Sequence, residues 1–129
     1  MVAVDTNVLV RFLVRDDAKQ AARAASLLRE NDIWVAKTVL LETEWVLRSL
    51  YGFSRQEVAP ALRGVAGLRS VSLEDEAEVA KALDWCEQGI DLADALHLAS
   101  AGTATRFATF DRKLARRVRR TTGMEAMSV

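Results

Sequence analysis

Four acidic residues occupy positions where a charged side chain could do chemistry. Asp5 and Asp111 follow short runs that are typical of strands, while Glu42 and Asp94 interrupt largely apolar helical stretches. A carboxylate in apolar surroundings is paired, protonated or metal-bound, because an isolated buried charge is costly. If the four carboxylates converge, their repulsion implies shared protons or a bound cation, and all-oxygen ligation favours Mg²⁺ or Mn²⁺. Such ions activate water and position a phosphodiester for in-line displacement, so the set predicts metal-assisted hydrolysis of that bond.

Each carboxylate also has a local explanation that the sequence leaves open. Aspartate is favoured at helix N-caps and in turns, which would account for Asp111 and in part for Asp5. We nevertheless expect Asp5 to lie deep, because a strand that is apolar on both sides would place it there. Asp91 as an N-cap with Asp94 three residues later would satisfy unpaired amides and favour the helix dipole.

Two neighbouring glutamates have different interpretations. On a helical wheel of about 100° per residue, Glu42 shares a narrow polar strip with Thr38 and Ser49, in a helix that is otherwise mostly apolar. Glu44 points roughly the opposite way and can pair with Arg48 at i, i+4, as an ordinary solvated pair. We therefore predict that Glu42 is confined and that Glu44 lies on the surface.

The single histidine and the single cysteine do not suggest a zinc site. His97 has no second histidine or set of cysteines to complete the ligands, so we expect it to be packed or to support the site. Cys86 cannot form an internal disulfide and is expected to be a small core residue beside Trp85.

Short strands alternating with helices must position these residues. The predicted strands are Val2–Val4, Ile33–Ala36, Leu68–Ser72, Arg106–Thr109 and Glu125–Val129, and Met1–Leu13 as a whole is interpreted as a buried strand plus a loop. The predicted helices are Ala18–Arg29 with Asp16 or Asp17 as its N-cap, Thr38–Leu50, a helix opened by a capping box of Ser54 and Glu57, Glu74–Gln88, Leu92–Ala101 and Arg112–Arg120. Pro60 is expected to kink or shorten the helix that contains it. This alternation predicts an α/β fold with a mainly parallel sheet, whose sites form beyond the carboxyl ends of the strands.

Composition and charge distribution indicate a compact domain. The chain has 129 residues, half of them hydrophobic and 28% charged, which predicts one domain over residues 1–129. No apolar run approaches the ~20 residues of a membrane span, and the apolar start has no basic leader, so we expect a cytoplasmic protein with no membrane contact. Residues 71–100 hold eight acidic residues and one lysine, whereas residues 101–129 hold seven basic and two acidic residues. This asymmetry suits an acidic pocket beside a basic face, although a solvated helix face explains the basic part equally well.

The four acidic residues belong to four short stretches, which are VDTNVL at 4–9, LLETEWVL at 40–47, DLADALHLA at 91–99 and ATFD at 108–111. Together these stretches resemble the motifs of the PIN-domain family, and in particular those of VapC-type toxins from VapBC toxin–antitoxin pairs. Their order and spacing and the total length all resemble a VapC-type toxin, so the similarity covers essentially the whole chain. One such motif alone would be unspecific, whereas four in order are strongly specific.

The resemblance implies a three-layer α/β/α sandwich with a mainly parallel central sheet and a Mg²⁺- or Mn²⁺-dependent endoribonuclease activity. It implies that Asp5, Glu42, Asp94 and Asp111 are the catalytic, metal-binding residues, and that water attacks phosphorus to leave a 5′-phosphate and a 3′-hydroxyl. It also implies a homodimer and an antitoxin protein whose peptide tail covers the acidic groove. The supporting polar residues would be Thr6, Asn7, Thr109 and Asp91.

The motifs leave open how RNA would be bound and which other class of protein could carry them. Arg11, Arg112 and Arg116 are candidate contacts to RNA phosphates, with solvated surface arginines as the alternative. A phosphatase or dehalogenase-like enzyme would carry a second aspartate where Asn7 stands, and no glycine-rich phosphate loop supports a nucleotide-binding enzyme. The remaining alternative is a catalytically silent PIN-like module that docks a basic partner peptide.

Overall fold

The computed structural model describes all of residues 1–129, which form seven helices and five short strands. The strands are β1 (Val2–Ala3), β2 (Ile33–Val35), β3 (Val71–Leu73), β4 (Arg106–Thr109) and β5 (Glu125–Ser128). The helices are α1 (Thr6–Val14), α2 (Ala18–Glu30), α3 (Lys37–Tyr51), α4 (Arg55–Ala66), α5 (Glu76–Glu87), α6 (Leu92–Ala99) and α7 (Arg112–Thr122). The chain divides into two compact units, residues 1–76 and residues 77–129. The single domain over residues 1–129 stays a prediction.

The first unit is built on a three-stranded parallel sheet in the order β1-β2-β3. Val2 pairs with Ile33, and Ile33 pairs in turn with Val71, so β2 is the central strand. Helix α1 packs against α2 and α3, and α4 packs against α3 and β3. The largest fully buried side chains here come from both strands and helices: Leu9, Ile33, Val35, Leu47, Val58, Leu62 and Val65. The carboxyl end of β1 is therefore held firmly by its sheet and by the helix that follows it.

The second unit contains a two-stranded parallel sheet of β4 and β5, with helix α7 packed on both strands. Ala115 and Val118 form the buried face of α7, and Cys86 is buried as predicted. Gly89 ends the turn after α5 with φ +103°, a conformation that favours glycine, and its carbonyl accepts a hydrogen bond of 2.5 Å from Nη1 of Arg117. This bond ties α7 to the segment that leads into α6.

The α/β class and the parallel strand pairing are confirmed. Helices α2, α3 and α7 and strand β4 lie close to their predicted bounds, and Asp17 caps α2. The capping box of Ser54 and Glu57 is present, with each side chain bonded to the other residue's backbone amide. None of the seven helices combines the length and the apolar character that crossing a bilayer requires.

The strand predicted at Val2–Val4 is present as β1, but the loop predicted for the rest of Met1–Leu13 was wrong, because residues 6–14 form helix α1. The β-branched residues of this stretch favour a strand, but Leu9 and Val10 are buried together with Thr6 at the i, i+3, i+4 spacing of a helix face. Packing against α2 and α3 outweighs the weak intrinsic preference.

Two smaller expectations also differ from the structure. Helix α4 continues through Pro60 to Ala66, so the proline does not shorten it, while a kink at Pro60 stays a prediction. The third strand begins at Val71 rather than at Leu68, because Leu68 and Val71 each donate a backbone bond in the turns that end α4.

Candidate active site

Asp5 lies two residues beyond β1 and begins helix α1. Its Oδ1 accepts a hydrogen bond of 3.2 Å from the amide of Val8, which makes Asp5 the N-cap. The side chain is exposed, so the expectation that Asp5 lies deep was wrong. Strand β1 ends at Ala3, and only Val4 in this stretch is buried, so the carboxylate at the beginning of α1 faces solvent. An exposed carboxylate at the carboxyl end of a parallel strand is accessible to a substrate.

Glu42 is joined to the beginning of α1 by one side-chain contact. The hydroxyl of Thr6, which is buried, donates a hydrogen bond to Oε1 of Glu42. Helices α1 and α3 pack against each other, and this packing brings the two side chains together across 36 residues of sequence. The structure thus places the second acidic motif beside the residue that follows Asp5.

The burial predicted for the two glutamates was reversed. Glu42 is exposed, whereas Glu44 is 5% exposed and lies on the buried face of α3 with Leu40, Thr43 and Leu47. The predicted pair is present, with Arg48 Nη1 2.8 Å from Glu44 Oε1. The error arose because a helical wheel locates a face but does not show which face the rest of the molecule covers.

In the second unit, the segment 91–94 forms the beginning of α6. Asp91 is its N-cap, with Oδ2 accepting 3.3 Å from the amide of Ala93, and Asp94 lies in the first turn. Asp94 is half-buried. His97 is exposed, because Leu96 and Leu98 face the interior and turn it outward, so the packed alternative was wrong and its support of the site stays a prediction. The capping role of Asp91 is confirmed.

Asp111 occupies a position in the second unit similar to that of Asp5 in the first. It follows β4, caps α7 by accepting 3.0 Å from the amide of Leu114, and is exposed. Thr109 supports this turn, because its Oγ1 accepts 3.0 Å from the amide of Asp111. Phe110 lies between Thr109 and Asp111, and its exposed side chain is a feature that the acidic motifs did not reveal.

The three candidate phosphate-binding arginines differ in their surroundings. Arg11 donates to Asp16 over 3.1 Å and to the Tyr51 hydroxyl over 3.3 Å. Desolvation lowers the pKa of Arg11, but the electrostatic interactions with Tyr51 and Asp16 and the hydrogen bonds to both raise it overall, so the group stays charged. Arg112 and Arg116 are exposed on α7. Arg11 is therefore engaged in a side-chain cluster, while the other two face solvent.

Neither unit gathers three histidine, cysteine, aspartate or glutamate side chains into a group that could hold a metal ion. Asp5, Thr6, Asn7 and Glu42 belong to the first unit, and Asp91, Asp94, Thr109 and Asp111 belong to the second. The contacts above join Thr6 to Glu42 and Thr109 to Asp111. Asn7 is exposed beside a cavity of about 440 Å³ between α1 and α2, which Arg11 also lines.

We compared the chain with models of known protein families and with curated proteins. The family model described as the PIN domain matches residues 2–120. The chain belongs to the PIN domain family. No curated protein matches the chain significantly. PIN domains are typically nucleases that use divalent metal ions, and the predicted PIN-like α/β fold is confirmed.

Proposed function

We propose that this PIN domain is a Mg²⁺- or Mn²⁺-dependent endoribonuclease and acts as the toxin of a VapBC-type toxin–antitoxin pair. The observation that carries the proposal is the Thr6–Glu42 hydrogen bond at the carboxyl end of β1. This bond holds Glu42, which belongs to a separate motif, next to the residue that follows Asp5, just beyond the end of β1. Parallel sheets form their sites beyond the carboxyl ends of their strands. The family match over residues 2–120 supports nuclease chemistry.

The donor chemistry fits Mg²⁺ or Mn²⁺. Asp5 and Glu42 supply carboxylate oxygens and are exposed, and Mg²⁺ is usually held by one or two carboxylates together with waters and substrate phosphates. Asp94 and Asp111 supply the same kind of oxygen in the second unit. A bound ion supplies Lewis-acid polarisation of the phosphodiester and a more acidic water. We propose that all four carboxylates are required for cleavage.

The chain's own residues orient three of these four carboxylates. Thr6 fixes one oxygen of Glu42, and the amide of Val8 fixes one oxygen of Asp5. Asp111 is held in the same way by Leu114, within a turn that Thr109 supports. Side chains held in place lose little conformational freedom when substrate binds, which favours catalysis.

A cleavage assay with purified protein tests the nuclease proposal. Incubation with a pool of cellular RNA and Mg²⁺ or Mn²⁺ should give discrete fragments with 5′-phosphate ends, and EDTA should abolish them. Asp5→Asn should abolish cleavage while circular dichroism shows a folded protein. Full activity of Asp5→Asn would show that Asp5 is not a catalytic residue. A folded wild-type protein that cleaves no RNA with either metal would favour a module that only docks a basic peptide.

The toxin role and the partners need an experiment in cells. Induced expression should arrest growth, expression of Asp5→Asn should not, and a small protein encoded beside this chain should relieve the arrest and co-purify with it. We also propose that the chain forms a homodimer, which light scattering of the purified protein tests. Growth that continues during expression of the active nuclease would reject the toxin role without affecting the nuclease assignment.

A further inference from the structure

Phe110 is the most exposed of the chain's large hydrophobic side chains, at 83%. It sits in the turn between β4 and α7, where the residues on either side are fixed. The amide of Asp111 donates to Thr109 Oγ1, and the amide of Leu114 donates to Asp111 Oδ1, each over 3.0 Å. The backbone of the turn is therefore held from both sides, and it presents the aromatic ring to solvent.

Helix α7 begins directly after this ring and carries a row of exposed cations. Ala115 and Val118 face the sheet of β4 and β5, and the helix contains no acidic residue. Its exposed basic side chains are Arg112, Lys113, Arg116, Arg119 and Arg120. Because one helical turn advances about 5.4 Å, Arg112 and Arg116 lie roughly one turn apart on one face.

Two arginines of α7 donate hydrogen bonds to backbone carbonyls of the protein, and in this they differ from Arg112 and Arg116. Arg117 donates to the carbonyl of Gly89 over 2.5 Å, and Arg119 donates to the carbonyl of Ala126 over 2.6 Å. Arg112 and Arg116 form none of the chain's three ion pairs. Both follow Phe110 within the next six residues of the chain, and their charges have no partner within the protein.

We infer that Phe110 and the basic face of α7 bind single-stranded RNA, with the ring stacked on an unpaired base and Arg112 and Arg116 contacting the phosphates. Proteins bind single strands by combining positive charge along the backbone with aromatic side chains that stack on bases. A duplex keeps its base faces covered, so the exposed ring selects unpaired nucleotides. An acidic protein would engage the arginines but would offer no base to Phe110. The choice of RNA as the ligand rests on the proposed function. The exposed ring adds that the RNA bound at this surface is single-stranded.

Binding of labelled oligonucleotides tests this surface without cleavage. The full chain carrying Asp5→Asn, in EDTA, is titrated into a fluorescein-labelled oligoadenylate of about 12 nucleotides, within the ~4–16 nucleotides that a single-strand site typically covers. A strand of equal length without bases is the second probe. Phe110→Leu, which keeps the apolar bulk but loses the aromatic face, should weaken binding of oligoadenylate about fivefold or more and leave the abasic strand unaffected. Phe110→Trp should bind as tightly as the parent.

The arginine contacts have a different signature and a matched control. Arg116→Gln should weaken binding of both strands to the same degree and reduce the salt dependence, because a phosphate contact does not depend on the base. Lys81→Gln removes an exposed charge from α5 in the same unit and should change neither.

Other outcomes overturn the inference. The inference is rejected if Phe110→Leu binds oligoadenylate as tightly as the parent, or if it loses the same affinity for both strands. It is also rejected if polyglutamate competes more strongly than RNA, because the surface would then not stack on bases. Cleavage by the wild-type chain together with any of these results would leave the proposed nuclease intact. Binding that depends on Phe110 in a chain that never cleaves would reject only the nuclease.

Discussion

At the scale of single residues, burial and charge assign different roles to the two glutamates of α3. Glu44 is 5% exposed and keeps an ion pair of 2.8 Å with Arg48, while Glu42 is exposed and accepts from Thr6. A buried carboxylate with a cationic partner supports the packing of its helix, whereas an exposed one can meet a substrate.

This assignment predicts opposite effects of the same chemical change. Glu44→Gln should lower the free energy of unfolding by roughly 1–3 kcal/mol, because the charged hydrogen bond to Arg48 is lost, and should leave cleavage per folded molecule unchanged. Glu42→Gln, the matched control on the same helix, should abolish cleavage and change stability little. Urea unfolding and RNA cleavage measure the two effects. A loss of cleavage in Glu44→Gln at full stability would show that the wrong glutamate was assigned to the chemistry.

At the scale of the element, the capping box of α4 gives a pH-dependent contribution. Glu57 accepts from the backbone amide of Ser54, and this bond lowers the pKa of Glu57 below its ordinary value of 4.5. A carboxylate whose pKa is lowered in the folded state adds stability above its unfolded pKa and loses it as the pH falls through the folded value. The contribution of this helix should therefore disappear in acid.

Two variants test the capping box. Ser54→Ala should lower the free energy of unfolding by about 1 kcal/mol at neutral pH. Glu57→Gln should be less stable than wild type above pH 4.5, and the difference should shrink as the pH is lowered further. A difference for Glu57→Gln that grew on acidification would contradict this sign.

At the scale of the whole molecule, the match of one PIN domain to residues 2–120 predicts a single cooperative unfolding transition. The tryptophans report on both compact units, since Trp34 and Trp45 lie in residues 1–76 and Trp85 lies in residues 77–129. One variant keeps Trp34 and Trp45 and has phenylalanine at position 85, and the other keeps only Trp85. The tryptophan fluorescence of both variants should give the same midpoint of urea unfolding. Two separate midpoints would show that the units unfold as independent domains.

The sequence by itself determined the α/β class, most helix ends and the order of the acidic motifs. These features depend on local physics, in which Ser54, Asp17 and Asp91 cap helices through bonds to amides two or three residues away. Such bonds need no distant partner, so spacing alone reveals them. The four acidic positions were recognisable for a similar reason, because each belongs to a short motif.

Only the tertiary structure decided which faces are covered. It made residues 6–14 a helix, buried Glu44, exposed Glu42 and His97, and joined Thr6 to Glu42 across 36 residues. Burial depends on neighbours that are distant in sequence, and the packing free energy of a covered face exceeds the small differences in intrinsic propensity. The tertiary structure also decided that the ring of Phe110 is exposed, because exposure depends on which residues pack against a side chain.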